Sequence, residues 1–239
     1  DSEIVQDQNV RKAIEMGIDK EGFCSVIMEG RGIPAKGAFP SSFTYGNDAV
    51  ETVSYDPEEA KKLLEESGWT DTDGDGYVDK DGQKLSINWL TYPTRLEQPK
   101  LAEYAQATLK DIGIDVSVNN TSDHMTIAKS GDFDVYVSST TTAPTGDPEY
   151  FFTSTVTGAK NYGNYQNEEV TKLTDQLHQT FDKDERSKLA VELQQDILDD
   201  DAFFFVSHLN MGIVTKSNVT GMAAHPCDYY EITAELDVE

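Results

Sequence analysis

Apolar residues recur at two distinct periods along the 239 residues. Between Asn9 and Ile18 they fall at Val10, Ala13, Ile14 and Ile18, the spacing of a helix with one buried face. The stretch from Asp56 to Gly68 repeats that spacing at Ala60, Leu63 and Leu64. Its boundaries are marked: Asp56 is a capping side chain, Pro57 suits the first helical position, Glu59 completes a capping box and Gly68 supplies the stop. From Lys84 to Tyr92 the period changes to two, with Leu85, Ile87 and Trp89 on one side, which predicts a strand. A helical stripe follows at Leu101, Tyr104, Ala105, Thr108, Leu109 and Ile112, ends at Gly113, and gives way to the alternating Ile114, Val116 and Val118. A short helix over 122–129 then leads into a strand over 133–137. Strand, helix, strand, short helix, strand is the order of an α/β sheet with crossover connections.

Two longer helices are predicted beyond it, over 167–181 and 182–198. The first carries Val170, Leu173, Leu177 and Phe181 on its apolar stripe, the second Leu189, Leu193 and Ile197, and Asn167 and Asp182 stand as their caps. The run Ala202-Phe203-Phe204-Phe205-Val206 reads as a buried strand and Met211 to Thr215 as its successor. No internal repeat, low-complexity linker or composition break divides the chain, so residues 1–239 read as one α/β unit.

Charge narrows the partners. With 44 acidic against 19 basic residues the net charge is −25, which repels a phosphate backbone and an anionic lipid surface alike, so nucleic acid is excluded as a partner. No run of about 18 apolar residues is present to span a bilayer. The opening Asp1-Ser2-Glu3-Ile4 has neither a leader's pattern nor a natural start, and suggests a cut within a longer protein. Cys24 and Cys227 lie far apart and read as two free thiols, with a single bridge as the alternative.

Four places carry candidate chemistry. Asp71-Thr72-Asp73-Gly74-Asp75-Gly76-Tyr77-Val78-Asp79 follows the first nine positions of a calcium loop, with carboxylates at 1, 3, 5 and 9 and glycine at 6. Position twelve, where a bidentate glutamate belongs, is Gly82, so the segment reads either as a structural calcium site on Asp71, Asp73, Asp75 and Asp79 or as a turn whose aspartates bond the local backbone. Among the histidines, His178 sits on a predicted helix and His208 ends a predicted buried strand, while His225-Pro226-Cys227-Asp228 places imidazole, thiol and carboxylate within four residues, a set suited to a transition metal or an ordinary polar loop. The hydroxyl-rich loop 138–148, with Thr140, Thr141, Thr142 and Thr145, follows a predicted strand, and ligands in open α/β sheets bind beyond the carboxyl ends of strands. Tyr92-Pro93-Thr94-Arg95 follows another strand, and Arg95 there either holds an anionic ligand or pairs with a surface acid. Nucleophile-elbow, phosphate-loop, dinucleotide and zinc-protease signatures are all missing, and no catalytic residue is assigned.

Five stretches together resemble one family. They are Asn9-Val10-Arg11-Lys12-Ala13-Ile14 with Ile18-Asp19-Lys20; Tyr55-Asp56-Pro57-Glu58-Glu59-Ala60 with Gly68-Trp69; Asp73-Gly74-Asp75-Gly76; Leu109-Lys110-Asp111-Ile112-Gly113-Ile114; and Gly146-Asp147-Pro148-Glu149 with Phe152. In order and spacing the chain resembles the C-terminal half of a family 5 extracellular solute-binding protein, the peptide and nickel class of ABC-transporter receptors. The resemblance implies a periplasmic-binding-protein-like (type II) lobe: an α/β fold with a mixed sheet flanked by helices, the second wall of a two-lobe clamshell that closes by hinge motion and catalyses nothing.

Peptide-binding members of that family carry a Trp and then an Asp in the loop before Asp-Pro, whereas Thr141-Thr142-Ala143-Pro144 stands here. Nickel-type members share the Ala-Pro and use histidine against a metal chelate, which implicates His208 and His225. With Tyr92, Arg95, Thr140, Thr141, Thr142 and Thr145 placed after strand ends, and His208 and His225 implicated by the resemblance, these eight residues are expected to face a small solute. That solute is nickel, a nickel chelate or an oligopeptide carried as cargo, with no resident cofactor beyond a structural calcium. The protein is expected to be an extracytoplasmic, lipid-anchored monomer that delivers to membrane permease subunits, and one lobe alone is expected to be nearly inert. A purely oligopeptide-specific receptor is one alternative; a calcium-stabilised adhesive surface domain is another, and a hydrolase a third.

Overall fold

A computed structural model describes residues 3–224 and 232–238 of the chain. Helix α1 (Gln8–Met16) starts where the Asp7 carboxylate accepts the Asn9 amide, and it buries Val10, Ala13, Ile14 and Met16. A short turn α2 (Lys20–Gly22) and strand β1 (Gly32–Pro34) follow. Helix α3 (Pro57–Glu66) opens with Asp56 accepting the Glu59 amide and Pro57 in the first turn, but the expected capping box is only half formed, because the Asp56 amide donates to the Met16 carbonyl and the Glu59 carboxylate accepts from Lys62. A small hairpin of β2 (Asp79–Lys80) and β3 (Gln83–Lys84) closes the acidic loop.

The predicted alternation then appears as β4 (Ser86–Thr91), α4 (Glu97–Lys110), β5 (Asp115–Asn120), α5 (His124–Ser130) and β6 (Val135–Tyr136). Their order in the sheet is β5-β4-β6 with both pairings parallel, Trp89 lying opposite Val118 on one side and Val135 on the other. Leu85, Ile87, Trp89 and Leu90 have no solvent exposure, as expected of a central strand covered on both faces. Beyond the sheet come α6 (Glu149–Phe151), α7 (Glu168–Gln179), α8 (Lys183–Asp199) and β7 (Ser207–Leu209), which pairs antiparallel with β1. A last antiparallel pair joins β8 (Val219–Thr220) and β9 (Asp237–Val238). Asn167 and Asp182 cap α7 and α8 by accepting two amides each. Among the described residues no helix is long and apolar enough to cross a membrane.

Buried apolar side chains gather in two clusters. One packs α1, α3 and α4 on the sheet. The other gathers Phe39, Tyr45, Phe151 and Phe152 against α7 and α8. The apolar run at 202–206 links them and corrects the expectation of a buried strand there. Phe203–Val206 is extended but belongs to no ladder; the Ala35 amide donates to the Val206 carbonyl and regular pairing begins only at Ser207. Phe204 and Val206 pack on the sheet cluster while Phe203 and Phe205 pack on the helical one, so the period of two serves two cores instead of a sheet. Two further expectations fail for want of a partner surface. Residues 211–215 form no strand, with Met211 70% and Val214 96% exposed, and Phe181 lies beyond the end of α7, 92% exposed. Cys24 is buried and free, burial raising its thiol above the ordinary range; Cys227 lies outside the described residues.

Candidate functional site

A groove of about 1450 Å³ opens beyond the carboxyl ends of β4 and β6 and runs along the 203–209 spine. The loop after β6 forms one side of it. The Tyr92 hydroxyl accepts the Ser139 amide at 3.1 Å, and Gln98, 5% exposed in the first turn of α4, donates from Nε2 to Ser139 Oγ at 2.7 Å. Ser139 in turn donates to Glu97 at 3.2 Å. At the far end the Tyr45 hydroxyl donates to the Gly146 carbonyl at 2.7 Å, and Gly146 takes the positive φ of +79° that its turn requires. Ala143 and Pro144 are buried beneath the loop, so it is seated on the helical cluster and its hydroxyls lie on the outer side.

The expected site residues separate into groups. Arg95, Thr140, Thr141, Thr142 and His208 all line the groove, and Thr145 does not. Tyr92 is buried and works as a support: its ring stacks on His124 with centroids 4.2 Å apart, and His124 Nδ1 lies 2.9 Å from the Tyr136 hydroxyl. His225 lies outside the described residues. Arg95 is exposed and makes no ion pair among the described residues, although the chain is strongly acidic.

His208 is half-buried on β7, with Nε2 3.4 Å from Asn47 Oδ1. That oxygen already accepts the Lys36 and Gly37 amides, so it acts as an acceptor and the hydrogen sits on Nε2, leaving the Nδ1 lone pair free of it. Burial lowers the His208 pKa to about 4, so the ring is neutral at physiological pH, the form in which imidazole ligates metals.

In the acidic loop, carboxylate oxygens of Asp71, Asp73 and Asp79 come within 4.8 Å of one another. Asp75, the fourth expected ligand, turns away to Lys84 Nζ at 2.6 Å and to the Tyr77 amide. Asp71 accepts the amides of Gly74 and Gly76, and Asp79 accepts from Thr72. Both arrangements considered for this segment, carboxylate cluster and backbone-bonded turn, are therefore present together.

Glu97, Gln98, Tyr136 and Tyr162 also line the groove and were not anticipated. Gln98 lies three residues before Leu101 on the buried face of α4, and a polar residue at that spacing is the available signal. Tyr136 and Tyr162 stand edge to face with centroids 5.9 Å apart, and no local pattern announces them.

Comparison with known proteins gives a consistent picture. The oligopeptide-binding protein AppA of Bacillus subtilis is 30% identical over 242 residues, covering 97% of this chain and 44% of AppA. Its structure with a nonapeptide superposes with a TM-score of 0.78 at 26% identity, covering 94% of this chain and 46% of the other. NikA of Staphylococcus aureus in complex with Ni(L-His)2 gives a TM-score of 0.79 at 26% identity, covering 98% of this chain and 49% of the other. The chain thus spans about half the length of the relatives it matches. The family described as bacterial extracellular solute-binding proteins, family 5 Middle, matches residues 1–163, and the expected α/β lobe agrees with these neighbours. On its groove, its parallel sheet and these likenesses, the chain belongs to the bacterial extracellular solute-binding proteins of family 5.

Proposed function

We propose that this chain forms one wall of a cleft that captures a carboxylate-bearing solute outside the cell, for delivery to ABC permease subunits in the membrane, from a monomeric receptor held there by a lipid anchor. One observation carries the reading: Arg95, a guanidinium without an ion pair among the described residues, stands at the groove beside the threonine loop of a chain with net charge −25. A planar fork left free in acidic surroundings suits the carboxylate of a ligand. Thr140 and Thr142 supply neutral hydroxyls to the same groove. The groove exceeds the 300–1,000 Å³ or so of a pocket for a compact ligand, which favours an extended oligopeptide as the cargo.

A nickel chelate with amino-acid carboxylates is the second reading, supported by the neutral His208 ring on the groove. Both cargoes offer Arg95 the same group. Calorimetry on the full-length receptor, with a nonapeptide and separately with nickel–histidine, tests this: Arg95→Ala is expected to weaken whichever solute binds by roughly 10–100-fold. For a peptide, amidating its C-terminus should reproduce the loss in wild type and add nothing in the variant. Unchanged affinity in Arg95→Ala would remove the assignment. For nickel, His208→Ala should cost at least about tenfold, and His225→Ala tests the remaining histidine in the same way.

A further inference from the structure

The motif Gly146-Asp147-Pro148-Glu149 marks the family resemblance, yet none of its side chains has a part in the solute contacts above. It is where the groove loop is fastened. Asp147 accepts the Glu149 amide at 2.9 Å and so caps the turn that α6 begins. Alongside lies Arg186 from the first turns of α8, its side chain only 13% exposed. Its Nε donates to Asp147 Oδ2 at 3.0 Å, and its Nη2 donates to Asp147 Oδ1 at 2.6 Å and to Glu149 Oε2 at 2.9 Å. Nη1 donates to the carbonyls of Leu177 and Thr180, at 2.6 and 2.7 Å, where α7 ends.

A guanidinium has five N–H donors, and here each has its own acceptor. The side chain therefore ties three segments to one point: the end of the groove loop, the start of α6 and the α7–α8 junction. Lysine, a point charge without the fork, could not reproduce the pattern. Glu149 is also met from outside by His178, Nδ1 to Oε1 at 2.6 Å. Burial pushes the Glu149 carboxyl up, but these bonds from His178 and Arg186 outweigh it and hold the group below its ordinary range.

The opposite end of the loop is held at Ser139 by Tyr92 and Gln98. Residues 140–145 thus lie between two fixed ends, with 140–143 lining the groove. We propose that Arg186 is the positioning residue of this loop: without touching the solute, it fixes 146–149 and thereby holds the threonine face in its binding shape before the solute arrives. The inference rests on the loop being a solute wall. A binding surface populated only part of the time loses affinity in proportion to that fraction, so a preformed loop avoids the loss.

Backbone ¹⁵N order parameters of the unliganded full-length receptor test the fastening, because they report motion within the folded state and not its stability. In wild type the Gly146 and Thr145 amides should lie near the rigid value of about 0.85, and in Arg186→Lys they should drop below about 0.6, with β4 and β5 unchanged. Arg186→Lys keeps the charge and one donor group, so it should fold where Arg186→Met does not. Glu149→Gln, which keeps the Asp147 pair, should give a smaller drop at the same amides. Unchanged loop order parameters in Arg186→Lys, or a fall spread equally through the sheet, would overturn the proposal. Solute affinity of the full-length receptor separates it from the functional reading. At least a tenfold weakening beside a loosened loop supports both. A loosened loop with unchanged affinity leaves the fastening standing and removes the loop from the binding surface.

Discussion

Two polar, turn-rich segments invite comparison: the acidic loop 71–82 and the groove loop 138–149. In the first, the side-chain partners lie close along the chain: Asp71 reaches Gly74 and Gly76, Asp73 reaches Asp75, and Asp79 reaches Thr72 seven residues away. In the second they are remote. Ser139 meets Tyr92 across 47 residues, Asp147 meets Arg186 across 39, and Gly146 meets Tyr45 across 101. A segment that satisfies its own backbone can sit on the surface and be shaped by its own sequence. A segment pinned by distant side chains takes its shape from the rest of the fold, which is what a wall of a binding groove needs.

Deleting the same carboxylate from each loop is the strongest test of that difference. Asp147→Ala leaves Arg186, largely buried, without the partner of two of its N–H groups. Removing one side of a fully buried pair costs about 3–5 kcal/mol, and because Asp147 itself is 42% exposed the expected loss is about 2–4 kcal/mol. Asp71→Ala frees two amides that water can reach, and should cost about 1 kcal/mol or less. Urea denaturation of both variants measures the difference. Equal losses would mean that the two loops are held alike.

The pH response sharpens the same contrast, because His208 is also held by a distant partner, Asn47. Its folded pKa of about 4 lies below the ordinary 6.5, burial being the cause. Between those values the unfolded chain binds the proton and the folded chain does not, so stability is complete above 6.5 and declines as pH falls toward 4. For a half-buried ring the decline should be on the order of 2 kcal/mol. His208→Gln should lack this part of the slope between pH 7 and 4.5. Wild type and variant falling in parallel would show that the ring protonates as freely in the folded state.

Much of the fold was legible for the reason that the acidic loop was. The cap at Asp56 and the proline after it, the caps at Asn167 and Asp182, and the alternation of Leu85, Ile87 and Trp89 are all short-range patterns, and each lies where it was predicted. The site was legible only in outline. Arg95 and the threonines at 140–142 follow strand ends, where ligands in open α/β sheets bind, whereas only the resemblance to nickel-type receptors singles out His208; all of them line the groove. Tyr92 is buried and outside the groove lining, and nothing in Tyr-Pro-Thr-Arg announces that burial. Arg186 gave no signal: in Asp182-Lys183-Asp184-Glu185-Arg186 it reads as one more charge on a helix, and its acceptors come from three other places. The run 202–206 failed in the same way, since alternation identifies two faces but not whether each meets a sheet neighbour or a separate core.

The smallest effect expected is also the one the sequence advertised most strongly, calcium at the acidic loop. Three carboxylates converge there, but Gly82 stands where two further oxygens belong and Asp75 is committed to Lys84. A site so depleted should bind no more tightly than about 1 mM, the weak end of calcium modules. At 1 mM calcium the gain is then about 0.4 kcal/mol, or a rise in melting temperature of about 1 °C for a chain of this size. Asp73→Asn should remove most of even that rise, a change of no more than about 1 °C. A rise of about 5 °C that disappears in Asp73→Asn would require a dissociation constant more than tenfold lower, and with it ligands from outside the loop. The acidic segment would then be held by more than its own neighbours, and the contrast with the groove loop would no longer stand.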